Sequence, residues 1–365
     1  MKKEKKEKKE KSNRRINKKF IILALVLILI PCAVLGGVAV VKHMDKKDAK
    51  PAKIEKKEEK KEEEEEVVKE EPKLKIVNLE STSRPFAVMI NNLDVARPLQ
   101  SGLQDAYIIY ELIVEGGLTR YMALFLDQNT ERIGSVRSAR HYYLDYALEN
   151  DAIYVHHGQS PQAAADFGLV ARIVADEPNT GWRDRSLKVA WEHKLFTSIE
   201  KLKNGMGRIR TERNKDLLLD YSIESLDLAS IPNSMPANNV SIEYSNKVTS
   251  SYEYDAENKV YKRSVNGVEH KDYVTGKQYT FKNIITYKVS NYNIAGDDKG
   301  RQNISNIGSG TGYYISEGYA IPIKWSKAAR SAQTVYTLED GTELKVNDGN
   351  TFIQIQPSGR TLNIS

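Results

Sequence analysis

The residues best able to do chemistry lie between Arg132 and Arg140, where Val136-Arg137-Ser138-Ala139-Arg140 leaves a short apolar stretch and opens a helical pattern. A helix start offers unpaired backbone N–H groups and positive dipole, which suit an anion. Arg137 and Arg140 would add planar, bidentate donors for a carboxylate or phosphate. The competing reading pairs these arginines with internal carboxylates such as Glu111 or Glu115. Four residues apart on an extended strand, those two carboxylates share a face but stand about 13 Å from each other. Glycosidase pairs need roughly 5–9.5 Å, so hydrogen bonding or arginine pairing is the expected role of both. His156-His157-Gly158 ends another strand, the usual edge for a site in an α/β layer. Adjacent residues point to opposite faces, so the two histidines would not chelate one metal, although His156 could move a proton. The structural role is the plainer reading. No HExxH or comparable spacing occurs, and neither a metal nor a cofactor is expected.

Other chemistry-bearing types read as structural. Ser160-Pro161 lacks the final glycine of a G-x-S-x-G elbow and suits a helix N-cap. Gly308-Ser309-Gly310-Thr311-Gly312 has no Lys-Ser/Thr ending and precedes a strand pattern, so it reads as a β-turn segment rather than a phosphate loop. Tyrosines are abundant, and Trp182, Trp191 and Trp325 join them. Such rings can stack on sugars, but half-buried sheet positions favour them equally. The candidate ligand contacts are therefore Arg97, Glu115, Arg120, Arg137, Ser138, Arg140 and His156.

The elements that must position these residues follow from pattern. Phe86–Ile90, 106–114, 121–126, 133–136 and 152–155 read as strands, with a β-hairpin turning at Gly116-Gly117. Helices are expected over 138–149, capped by Ser138, over 161–167, and over 194–206, where Leu195, Ile199, Leu202 and Met206 form one stripe. After Ile231-Pro232-Asn233 the helical signals stop. Nine short alternating runs follow between Val240 and Ile355, with tight turns at Asn266-Gly267 and Asp340-Gly341. The fold class is α+β: a mixed layered sheet-and-helix domain over 76–231, then an all-β domain over 232–365. No solenoid-length repeat occurs.

Ahead of these lies an uncharged apolar run, 20–41, about 33 Å long as a helix and enough to span a bilayer. Residues 1–19 carry eleven Lys/Arg against three Glu, a net of +8, while 42–75 carry twelve against twelve. The positive arm should stay in the cytoplasm, leaving everything beyond 41 outside the cell on a single-pass signal anchor. Subtracting both segments from the overall +6 leaves about −2 for 76–365, so nucleic-acid binding loses its electrostatic basis. The Lys/Glu-rich 42–75 reads as a solvated linker. Cys32, the one cysteine, sits inside the apolar run after Pro31. That is a poor context for lipid attachment, and an uncleaved anchor is preferred.

Arg84–Asn92 (RPFAVMINN), Ala96–Ala106 (ARPLQSGLQDA), Tyr110–Phe125, Ile133–Arg140 (IGSVRSAR) and Asp151–Ala163 (DAIYVHHGQSPQA) resemble the YerB family of Gram-positive envelope lipoproteins. Gly308–Lys327 and Gly349–Ile355 extend the resemblance through the second domain. It implies a two-domain body, mixed then all-β, and brings no established reaction or ligand. Two departures stand out. The family's lipid-attachment cysteine has only Cys32 as counterpart, and its His-Asn-Leu-Tyr-Thr segment appears here as His193-Lys194-Leu195-Phe196-Thr197. The expected function is that of a membrane-tethered extracellular protein holding a ligand or partner, such as a cell-wall polymer or a wall-synthesis enzyme, in a polar cleft of the first domain. The alternative is a hydrolase or transferase acting on wall polymers, with His156 or Glu115 as acid/base.

Overall fold

Burial decides which apolar runs become strands at the centre of the molecule. In the computed structural model, which describes residues 73–365, the first half supplies β1 (Phe86–Asn91), β2 (Ile108–Ile113), β3 (Thr119–Phe125), α1 (His141–Glu149), β4 (Ile153–His156), α2 (Pro161–Asp166), β5 (Arg172–Val174), β6 (Leu195–Thr197) and α3 (Ile199–Asn204). The second half supplies β7 (Met235–Pro236), β8 (Asn239–Ser245), β9 (Val248–Asp255), β10 (Val260–Val265), β11 (Asn283–Val289), β12 (Gly308–Ser316), β13 (Tyr319–Lys327), β14 (Thr351–Pro357) and β15 (Leu362–Ile364). The α-helices among the described residues all fall in the first half, and the second is built of strands. The basic arm, the apolar segment with Cys32, and nearly all of the charged linker lie outside the described residues. Among the described residues no helix is long and apolar enough to cross a membrane.

The main sheet runs β7-β13-β12-β11-β14-β2-β3-β1-β4-β5, with Val335–Thr337 added beside β13. Its centre joins the two halves of the chain. β14 pairs parallel with β2 on one side (Ile108↔Thr351 to Leu112↔Ile355) and parallel with β11 on the other (Asn283↔Thr351 to Val289↔Pro357). Both faces of β14 are covered, and all seven of its residues are buried, Thr351, Gln354 and Gln356 among them. A second sheet contains β10, β9, β8 and β15 in that order and packs on this centre. Tyr244 on β8 donates to the Glu111 carbonyl at 3.0 Å, and Gln354 on β14 donates to Tyr252 on β9 at 2.9 Å.

Between the sheets Glu111 meets Arg263 at 2.9 Å, both fully buried. Ser250 and Gln354 also donate to the Glu111 carboxylate, at 2.9 and 3.1 Å. Glu111 therefore pairs with an arginine, as expected, but one from the second half rather than Arg137 or Arg140. Arg263 also donates to His270 Nδ1 at 2.7 Å, which places the histidine proton on Nε2, facing Gln100. Burial and the neighbouring Arg263 charge hold His270 well below its ordinary pKa.

Several element expectations need correction. The helix expected from Ser138 starts at His141, with Arg140 in the N-cap position and no side-chain cap. Residues 135–139 instead lace β1 to the turn after β4: Arg137 N–H donates to Met89, and His157 N–H to Arg137. The helix expected over 194–206 is strand β6 followed by α3, because Ser198 caps a later start by accepting from Lys201 N–H. Ser160 does cap α2, accepting from Ala163 N–H with Pro161 in the first turn. The glycine-rich Gly308–Gly312 lies within β12 rather than in a turn. There Gly312 is required, since a Cβ would stand 2.3 Å from the Thr286 carbonyl oxygen.

Candidate functional site

The parallel strands β1 and β4 end at Asn91 and His156, and the antiparallel β3 begins beside them with Asn91 opposite Arg120. Carboxyl ends of parallel strands are the usual place for a site in such a layer. Most of the expected contacts gather here. Glu115, in the hairpin turn, takes Arg140 through both carboxylate oxygens, one contact at 2.8 Å, with Arg120 at 4.0 Å. Arg120 donates to the Ser138 carbonyl and Arg140 to the Ala139 carbonyl, each at 2.6 Å. Ser138 packs its Oγ against Gly158, whose φ of +75° and close approach leave no room for a side chain.

Electrostatics show what this inner group can do. Burial raises the Glu115 carboxyl, but Arg140 and then Arg120 outweigh it and hold the pKa below its ordinary value. Burial, with the neighbouring Arg140 charge, pulls Arg120 down to about 10. Both guanidiniums are nearly enclosed and committed to Glu115 and to backbone carbonyls. They fasten the segment 138–140 to the hairpin.

His156 is fully buried and stacked on Phe167 with ring centres 4.8 Å apart. Its Nδ1–H donates to the Gly158 carbonyl at 2.9 Å, and burial lowers its pKa to about 4. Arg97 is not part of this group; it holds Asn92 at 3.0 Å and Asp94 at 2.8 Å.

Arg137 behaves differently. Its side-chain partner is Glu192 at 2.9 Å, and the Glu192 side chain is 56% exposed. Beside them His193 Nδ1 faces Asn91 Nδ2 at 2.9 Å, and burial with the Arg137 charge lowers the His193 pKa. On the other side Arg183 donates to the Trp191 carbonyl at 2.8 Å and to His157 Nε2 at 3.0 Å. A guanidinium cannot accept, so Nε2 is the acceptor and the Nδ1–H faces the Ala175 carbonyl at 2.7 Å. No carboxylate pairs with the Arg183 guanidinium among the described residues. It lies 4.7 Å from the ring centre of Trp191, which is 54% exposed, and Arg185 lies at 5.8 Å. Together Arg137, Arg183, Glu192 and Trp191 form an open ledge.

Sequence reasoning found Arg137 but missed Arg183 and Arg185. Their signal was Trp182-Arg183-Asp184-Arg185, a cationic and aromatic stretch with no apolar periodicity to explain it. The abundant tyrosines are mainly core residues: Tyr110, Tyr121, Tyr142, Tyr143, Tyr146 and Tyr154 are all buried. Trp325 is buried too, which leaves Trp191 as the open tryptophan face.

The main sheet draws strands from both halves of the chain and carries an arginine-lined ledge at its strand ends, and the comparisons agree on the family of this two-part body. Residues 74–212 match the family described as "Protein of unknown function (DUF3048) N-terminal domain", and residues 240–353 match its C-terminal domain. "Putative lipoprotein YerB" of Bacillus subtilis (strain 168) is 33% identical over 302 residues, covering 80% of this chain and 87% of that protein. The crystal structure of YerB protein from Bacillus subtilis matches with a TM-score of 0.66 at 30% identity, over 77% of this chain and 94% of that one. The chain belongs to the YerB-like DUF3048 family.

Proposed function

We propose that this is a membrane-tethered envelope protein that binds an anionic group of a cell-wall polymer, or of a wall-synthesis enzyme, on the ledge around Arg137 and Arg183. The observation that carries this reading is the state of the two cations. The Arg183 guanidinium pairs with no carboxylate among the described residues, and Arg137 is held by one exposed glutamate that an incoming carboxylate or phosphate could displace. Trp191 offers an open aromatic face beside them for a ring of the same ligand. Tethering rests on the apolar segment 20–41 and on the lipoprotein name of the Bacillus subtilis relative. An anchor would raise the local concentration of the ledge near membrane-bound partners.

The hydrolase or transferase reading gains no support from its two nominated groups. His156 is enclosed against Phe167, and Glu115 is held as a carboxylate by Arg140. Neither presents a proton to a substrate.

The test is co-sedimentation of the full chain with purified anionic wall polymer. Arg137→Ala with Arg183→Ala should weaken binding by about tenfold or more, near 1.4 kcal/mol, whereas Glu192→Gln should tighten it. Equal binding by wild type and the double variant would overturn the proposal.

A further inference from the structure

The outer face of β11, β12 and β13 carries a second arrangement, remote in sequence from the ledge and independent of it. Strand register sets side chains into rows there. Thr286, Tyr313 and Pro322 form one row, through the pairs Thr286↔Tyr313 and Tyr313↔Pro322. One step on, beyond Tyr287↔Gly312, Lys288 comes opposite Thr311, which is paired with Lys324. These six residues line a concavity of about 610 Å³, closed at its sides by Leu362 and Glu339. That volume lies within the roughly 300–1,000 Å³ typical of ligand sites.

Charge at this concavity is unbalanced. Lys288 and Lys324 are both exposed, and neither forms an ion pair among the described residues. Lys324 Nζ donates to the Glu339 carbonyl at 2.6 Å, and Asp340 feels its charge without making an ion-pair contact. The Glu339 carboxylate is turned to Asn233 Nδ2 at 2.6 Å, and the Asp340 carboxylate caps its own turn at Thr342 N–H, 2.9 Å. Neighbouring strands lie about 4.8 Å apart, so the two lysines are rooted about 10 Å apart, astride the Thr311 hydroxyl. Flexible ammonium stems rooted at that spacing can converge on one oxyanion.

We propose that this face binds a phosphate ester carried on a sugar or polyol. Two ammonium groups supply donors only and the hydroxyl can donate a further hydrogen bond, so together they match a tetrahedral anion of nearly two negative charges. A single carboxylate would leave one lysine unmatched. Lysine serves as a point-charge binder of phosphate. In the adjoining row the half-buried Tyr313 ring and Pro322 form a flat apolar shelf on which the carbon skeleton can rest.

The test uses the full chain and calorimetric titration with glucose 1-phosphate, glycerol 3-phosphate, a glycerol-phosphate polymer and unphosphorylated glucose. Glucose 1-phosphate and glycerol 3-phosphate should bind, the polymer with its singly charged diesters should bind more weakly, glucose should not bind, and Lys288→Gln or Lys324→Gln should each weaken binding about tenfold. Both lysines are exposed, so the variants should melt with the wild type. The titrations are repeated in the Arg137→Ala, Arg183→Ala background, where the ledge cannot contribute, and the loss caused by each lysine variant should be the same there. Binding of the polymer tighter than of either monoester would overturn the assignment of a doubly charged phosphate. Failure of every phosphorylated probe, equal binding of glucose, or wild-type affinity in the double lysine variant would overturn the proposal.

Discussion

Single side chains in this protein are set by what encloses them. His156 shows the consequence most directly, because its imidazole is neutral and sealed against Phe167. Its folded pKa is lowered to about 4 by burial, with the Gly158 carbonyl opposing and the Arg172 charge adding repulsion. Above about pH 6.5 the residue is neutral in both folded and unfolded chains. As pH falls from there towards 4, the unfolded chain takes a proton that the folded one refuses. Stability should therefore drop by about 1.4 kcal/mol per pH unit from this residue. His270 acts in the same direction, and Glu115, held low by its arginines, adds further loss in the carboxylate range. Asp145, whose pKa burial raises, opposes them. Urea midpoints at pH 7 and pH 5 would check this. His156→Phe should flatten the dependence, and an unchanged pH slope in that variant would refute the assignment.

Among the elements, glycine placement in β12 decides how closely three strands approach. Gly312 lies against the Thr286 carbonyl, and Gly310 lies under the Trp325 indole, where a Cβ would meet Nε1 at 2.8 Å. Gly312→Ala should destabilise by about 2 kcal/mol through forced separation of β11 and β12. A urea titration showing a loss below about 0.5 kcal/mol would contradict that packing. The longer strands of both halves were legible in the sequence, because period-two alternation and continuous apolar runs reflect the faces they bury, whereas the short edge strands Arg172–Val174, Met235–Pro236 and Leu362–Ile364 carry too few residues to show either pattern. Ser160 was legible as a cap because Pro161 fixes the first turn after it. The start of α1 was not: Ser138 has a capping side chain, but the backbone there is claimed by β1 and by the turn after β4. Nor was the strand Leu195–Thr197, since its residues also fit a helical stripe and only pairing with Trp182–Arg183 and Ile133–Gly134 decides between them. At the site, the pairing of Glu115 was foreseeable from charge. The meeting of Arg183 with His157 depends on loops that pattern does not reach.

For the molecule as a whole, the family's two parts are mechanically one. β14 comes from the second part and has the first part's β2 as its neighbour, while Glu111 and Arg263 form a buried pair across the same seam. Removing either partner would leave a charge stranded in the interior, a cost of about 3–5 kcal/mol. The two parts should accordingly unfold in a single transition. Pulsed hydrogen exchange would show the amides of Phe86–Asn91 and Tyr319–Lys327 losing protection at the same urea concentration. Protection surviving in one after loss in the other would disprove that coupling.

The central position of Thr351–Pro357 also governs the order of events during synthesis. Ile108–Ile113 and Asn283–Val289 each wait for a neighbour that is synthesised after both of them. Until that strand emerges the nascent polypeptide cannot lock its largest layer. Final closure then falls to whichever compartment receives it.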